Sequence, residues 1–187
     1  MEEEVKLYLG AAKEQMEHAI EFLESELGRV RAGKANPSLV NGVKVDYYGV
    51  DTPLSQVAGI KNQDSKTLVI QPWEKDMLLP VEKALLAANL GLTPQSDGVV
   101  IRLSLPTLTE ERRIDLVKRV KEIGEQSRVS IRNARRDANE HLKDLAKDGL
   151  SEDEEKTAEH ENQEQTDDYI KKVDKHLELK EEEIMTV

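Results

Sequence analysis

From Val5 onward, apolar side chains recur at steps of three and four: Val5, Leu9, Ala12, Met16, Ile20, Leu23, Leu27 and Val30, with charged residues on the remaining faces. That period predicts one helix over residues 2–30, about 40 Å long at ~1.5 Å per residue. Its apolar stripe is too narrow for the helix to stand alone, so it requires partner helices. The run Arg31-Ala32-Gly33-Lys34-Ala35-Asn36-Pro37 breaks the pattern. Gly33 loosens the backbone there, and Pro37 lacks the amide a continuing helix needs.

Between residues 38 and 105 the period shortens to two. Val43, Val45 and Tyr47 alternate with Lys44, Asp46 and Tyr48, a half-buried strand bracketed by the turn signals Asn41-Gly42 and Tyr48-Gly49. Thr67–Gln71 and Gly98–Leu103 read as two further strands, and Val57–Ile60 as a candidate fourth. Asp76–Asn89 reads as a helix with Leu78, Leu79, Val81, Leu85 and Leu86 inside, ended by Gly91 and Pro94. Pro80 falls in its first turn, where proline is tolerated. The expected product is a small α/β domain.

After Pro106 the helical period returns. Thr109 with Glu110 and Glu111 forms a helix start, a capping hydroxyl followed by acids at the positive end of the dipole. Nothing interrupts the pattern until Asp148-Gly149. The expected seam is Ile114, Val117, Gly124, Ser127, Ile131, Ala134, Ala138 and Leu145, its small residues permitting close helix approach. Ser151-Glu152-Asp153-Glu154 is a capping box for a third helix, with Ala158, Ile170, Val173, Leu177 and Ile184 inside. The fold class is therefore α+β: an elongated antiparallel three-helix bundle (residues 1–30 and 106–187) with a small α/β domain (31–105) inserted between the first and second long helices. Two short Gly- and Pro-containing links, near 31–37 and 104–107, predict a hinge.

Composition narrows the function. Aromatic residues make up only 3% of the chain, which suits a thin aliphatic seam better than a thick globular core. The absence of cysteine removes disulfides, thiolate metal sites and cysteine nucleophiles together. No apolar run approaches ~18 residues, and the acidic start Met1-Glu2-Glu3-Glu4 is unlike a signal or transit peptide. A soluble cytoplasmic protein without a membrane partner is expected. His18, His141, His160 and His176 lack metal-ligand spacing, no P-loop is present, and no nucleophile–base pair stands out, so neither metal, bound nucleotide nor catalysis is expected.

The net charge of −11 argues against a simple nucleic-acid binder, but it hides a gradient. Residues 151–187 carry net −9, while 118–136 carry seven bases against two acids. Four arginines, Arg128, Arg132, Arg135 and Arg136, fall within nine residues. With Arg128 at zero on a wheel of ~100° per residue, Arg132 lies near +40°, Arg135 near −20° and Arg136 near +80°, roughly 120° from the seam. The stripe is expected to face water or an anionic partner, since guanidinium forks suit phosphate oxygens. Its bland counterpart is a solvated face with local pairs such as Glu125–Arg128 and Arg136–Glu140. Trp73 beside Pro72 is expected to pack on the small domain rather than anchor a partner.

Several motifs in chain order resemble the ribosome recycling factor family. They are Arg31–Pro37, Tyr47-Tyr48-Gly49 with Thr52-Pro53-Leu54, Pro80-Val81-Glu82-Lys83-Ala84, and Leu105-Pro106 with Leu108–Arg113. Arg132-Asn133-Ala134-Arg135-Arg136-Asp137-Ala138-Asn139 and Lys180–Met185 complete the set. The resemblance implies an L-shaped molecule, a three-helix bundle and a β/α/β domain swinging about a hinge at Gly33, Lys34, Pro37, Leu105 and Pro106. It implies a non-enzymatic translation factor that binds large-subunit rRNA of the post-termination ribosome and, with elongation factor G and GTP, separates the subunits. GTP would be used by the partner, and no cofactor is implied for this chain. The family's ribosome contacts fall on Arg113, Arg132 and Arg135, with Arg31 and Arg136; Arg128 joins them by spacing. Lys34 stands where arginine is commoner in the motif, keeping the charge without the planar fork. A chaperone cofactor of the nucleotide-exchange type also joins long acidic helices to a small β-rich domain. It requires a dimerising coiled coil and no arginine stripe, whereas the recycling-factor reading expects a monomer.

Overall fold

A computed structural model describes residues 2–186. The chain divides into two units: a helical unit running to Ala32 and resuming at Glu110, and a small unit, Gly33–Thr109.

The helical unit contains α1 (Glu2–Arg29), α4 (Glu110–Lys147) and α5 (Glu152–Met185). At 38 residues α4 is about 57 Å long. A tight turn through Asp148-Gly149-Leu150 reverses the chain into α5; Gly149 has φ +116°, a conformation side chains resist. The Ser151 side chain then accepts from the Glu154 amide while the Glu154 carboxylate accepts from the Ser151 amide, completing the expected capping box.

Cross-helix contacts give the directions. Tyr8 of α1 stacks on His141 of α4. The Tyr169 hydroxyl of α5 donates to Glu17 of α1, and one heptad further on His176 meets Glu24. So α1 runs antiparallel to α4 and parallel to α5. Close approach of α4 and α5 depends on Gly124: a Cβ there would lie 2.3 Å from Leu177 Cδ1.

The seams differ from expectation in detail. On α4 the buried residues are Leu116, Val120, Ile123, Gly124, Ser127, Ile131, Ala134, Ala138, Leu142 and Leu145. Ile114 is exposed and Val117 only half-buried. A helix touching two neighbours buries a wider arc than a single stripe, and that arc favours 116-120-123 over 114-117. On α1, Ala19 is buried where Ile20 was expected, and Ile20 is half-buried. On α5, polar Asn162 and Thr166 and the ring of Tyr169 are buried, while Ile170 lies half-out. With Ser127 they place a polar layer inside the bundle. Asn162 satisfies it in part, its amide donating to the Arg135 carbonyl (3.0 Å) and to Asn139 Oδ1 (2.6 Å).

The small unit contains a two-stranded hairpin, β1 (Lys44–Tyr47) and β2 (Val50–Pro53), and a four-stranded antiparallel sheet. The sheet is made of β3 (Ala58–Asn62), β4 (Thr67–Pro72), β5 (Pro94–Ser96) and β6 (Ile101–Ser104), in the order β3-β4-β6-β5. A short turn of helix, α2 (Leu54–Val57), precedes β3, and α3 (Leu78–Ala87) packs behind the strands. Leu54, Leu68, Ile70, Val81, Leu85, Ile101 and Leu103 form an aliphatic core with almost no solvent contact. Tyr48 and Gly49 both have positive φ, the two-residue turn that closes a tight hairpin.

Two strands, β2 and β5, were not anticipated. Val50–Pro53 lacks an alternating apolar pattern because its side chains are largely exposed. Pro94, expected to terminate a helix, instead opens β5 at the sheet edge, where a missing amide costs no ladder bond. The candidate strand at Val57 begins one residue later, and the helix expected from Asp76 begins at Leu78 after a 3-10 turn, Lys75–Met77. Trp73 remains mostly exposed, but its ring lies against Gly59, where a Cβ would be 3.1 Å from Cη2.

Candidate nucleic-acid interface

Of the four clustered arginines of α4, Arg128, Arg132 and Arg135 do not stand free as the helical wheel suggested. Gly124 and Leu142, about 40° to the negative side of Arg128 on the same wheel, extend the buried arc almost to the stripe. Arg128 and Arg135 therefore lean on α5. Arg128 donates to Asp174 of α5 at 2.5 Å and, more weakly, to Glu125 at 3.4 Å. Only 26% of its side chain is exposed, and the Asp174 hydrogen bond raises its pKa further. Arg135 donates to Gln163 Oε1 at 2.7 Å, and the Gln163 amide in turn donates to Asp167.

Arg132 projects further out, with 41% of its side chain exposed, and forms an ion pair with Glu125. The two residues are seven apart, two turns along one face. The Arg132 hydrogen bond holds the Glu125 carboxyl below its usual range, Arg128 adding to the effect. Arg136 is exposed, and no ion pair links it to Glu140. Lys121, Glu125, Arg128, Asp174 and Glu178 line an open cleft of about 490 Å³ along this flank. The face is a mixed strip, cations held by carboxylates, rather than a bare positive stripe.

The other predicted residues are distributed differently. Arg113 donates to the carbonyls of Ile184 (2.7 Å) and Thr186 (3.2 Å), tying down the carbonyl end of α5. Arg31 is exposed at the end of the first helical segment. The predicted hinge residues Gly33, Lys34, Pro37, Leu105 and Pro106 all fall in the small unit. Gly33 has φ +73°, and a Cβ on it would lie 2.8 Å from Leu108 Cγ. Asn36 caps the 3-10 turn begun by Pro37, the Leu105 amide donates to the Lys66 carbonyl at 2.8 Å, and Lys66 also reaches Thr107.

Sequence reasoning missed Asp174 and Gln163 as partners of the arginines, and Asp167 behind Gln163. Finding them requires the α4–α5 register, which no local pattern carries. The Glu125–Arg132 pair had a signal, since residues seven apart share a helix face. Among the described residues, no three histidine, aspartate or glutamate side chains converge as metal ligands, and no helix is long and apolar enough to cross a membrane.

A long helical bundle whose middle helix carries clustered arginines, interrupted by a small antiparallel sheet unit, defines a two-unit α+β protein with a candidate polyanion-binding flank. The family model described as ribosome recycling factor matches residues 23–185. The ribosome-recycling factors of Flavobacterium johnsoniae and Porphyromonas gingivalis are each 50% identical to this chain; the first match covers 100% of both chains, the second 98% of this one and 100% of the other. A solution structure of the ribosome recycling factor aligns with a TM-score of 0.79 at 40% identity over 98% of each chain. A second solved chain aligns with a TM-score of 0.63 at 44% identity over 97% of this chain and 99% of that one. It comes from a study of the T. thermophilus ribosome recycling factor and E. coli elongation factor G bound to the E. coli post-termination complex. This chain belongs to the ribosome recycling factor family.

Proposed function

We propose that this protein binds the post-termination ribosome on large-subunit rRNA and, together with elongation factor G and GTP, separates the subunits for a new round of translation. Membership of the family supports the role. The observation that carries the contact surface is the arginine flank of α4 on a chain of net charge −11. Arg132, the more exposed of the two ion-paired arginines of this flank, and Arg136, unpaired among the described residues, are the foremost phosphate ligands. Arg128 and Arg135 stand behind them, and Arg113 and Arg31 extend the surface toward the other end of the helical unit. The role asks for binding and displacement. It needs no catalytic group, cofactor or nucleotide in this chain, GTP being handled by the partner factor, and it places the protein in the cytoplasm as a monomer.

Residues 31–37 and 104–107 serve as the joint between the two units. Gly33, whose backbone conformation resists a side chain, and the proline-containing return strand support that reading. A crosslink between the units should leave ribosome binding intact and slow subunit splitting; splitting at the normal rate would refute the joint.

For the contact surface the test is co-sedimentation with large subunits across a salt series. Arg132→Ala should weaken binding and reduce the slope of log affinity against log salt by about one. Its melting temperature should change little, because the side chain is outside the seam. Undiminished binding removes Arg132 from the interface.

A further inference from the structure

Glu125 is the acid that both exposed and half-buried arginines share. Its Oε1 takes Arg132 and its Oε2 takes Arg128, while Asp174 of α5 holds the second nitrogen of Arg128. A carboxylate and a phosphodiester offer a guanidinium the same feature, two oxygens side by side. We propose that Glu125 is an internal stand-in for an RNA phosphate, a latch that keeps Arg128 and Arg132 in phosphate-binding posture and must be displaced before the backbone of rRNA can take its place. The proposal rests on the reading of this flank as the RNA-facing surface.

The geometry favours displacement. Glu125 is 54% exposed and Arg132 41%, so an incoming phosphate reaches both without disturbing the seam. Exposed ion pairs are weak and screened by salt, which makes the latch a gate rather than a lock. Arg132 has one carboxylate to leave and Arg128 two, so Arg132 exchanges first and Arg128 follows only where a second phosphate is correctly spaced. Arg136, exposed and without an ion pair among the described residues, is available for the first encounter. Without Glu125, Arg132 would lose its one carboxylate while Arg128 kept Asp174, and the flank would attract polyanions less selectively. The latch thus selects for RNA whose phosphates match the spacing of the arginines.

Binding of large ribosomal subunits, and of a short RNA duplex of unrelated sequence, is measured across a salt series for the native protein and for Glu125→Gln, Asp174→Asn and Arg132→Ala, with thermal melting alongside. Glu125→Gln should bind subunits about two- to fivefold tighter and the unrelated duplex tighter still, so that selectivity falls. Asp174→Asn, which releases Arg128 from the α5 side, should move both in the same direction by less. If Arg132→Ala weakens binding while Glu125→Gln leaves it unchanged or weaker, Glu125 only positions the arginines; the latch fails and the RNA surface stands. If Arg132→Ala has no effect on subunit binding, the RNA reading of this flank fails and the latch with it.

Discussion

The small unit's interior is aliphatic throughout, whereas the helical unit's mixes aliphatic with polar positions. In the small unit, large aliphatic side chains from β4, β6 and α3 meet in a core whose main members, Leu68, Ile70, Ile101 and Leu103, have no solvent contact. Along the α4–α5 seam the fully enclosed positions include Ser127, Asn162 and Thr166, and contact depends on a glycine that leaves room for Leu177. The first interior is held by aliphatic volume alone; the second adds close approach and a few hydrogen bonds to enclosed side chains such as Leu23, Ile131, Leu142 and Ile184. The units should therefore fail under different substitutions. Each has its own probe: Trp73, the only tryptophan, reports on the small unit, and far-UV circular dichroism on the helices.

The largest effect is expected from removing volume where volume dominates. Ile101→Ala should destabilise the small unit by about 2–5 kcal/mol, since a cavity is added to the lost transfer energy. Denaturant titration followed by Trp73 fluorescence would register the shift; a shift confined to the circular dichroism would break the division between the two interiors. Next is adding volume where space is the limit. Gly124→Ala improves helix propensity by about 1 kcal/mol, yet forces Leu177 from its site. Overpacking of about 1–3 kcal/mol should win. A higher helical melting temperature would show that the seam yields more readily than its spacing suggests.

A smaller effect follows from one hydrogen bond. Tyr169→Phe keeps the ring in the seam but removes the donor to Glu17, costing about 1 kcal/mol in the helical transition. Burial, with the Glu17 bond adding to it, pushes the Tyr169 hydroxyl up to about 12. Its contribution is thus present at neutral pH and is lost as pH rises through that value, a loss the Phe variant should not show. The acid end probes the other unit. The amide of Val100, with Arg102 and the Val99 amide behind it, lowers Asp97 from 3.8 to about 2. Its contribution is present above the ordinary carboxylate range and fades as pH falls through about 2, so Asp97→Asn should blunt the acid sensitivity of the Trp73 signal.

Much of this was legible in the chain itself. The three long helices follow from period, breaks and caps, because these are local: Ser151 and Glu154 meet wherever that helix starts, and Gly149 ends α4 through its own backbone freedom. The sheet was readable only where one face is buried. β1 and β4 alternate or run apolar; β2 and β5 carry mostly exposed side chains, and only pairing with neighbours makes them strands. The family motifs were equally plain, being short runs in a fixed order.

What the chain alone determined, then, is which segments are helical, where they stop, and that arginines cluster on one side of α4. Tertiary structure decided what those arginines touch. Asp174 and Gln163 lie 46 and 28 residues from their partners, and the α4–α5 register that brings them together depends on Gly124 accommodating Leu177 and on Asn162 reaching Asn139. A periodic pattern specifies a helix and its inner face; the identity of the neighbour beside a given residue is a sliding coordinate that only packing settles.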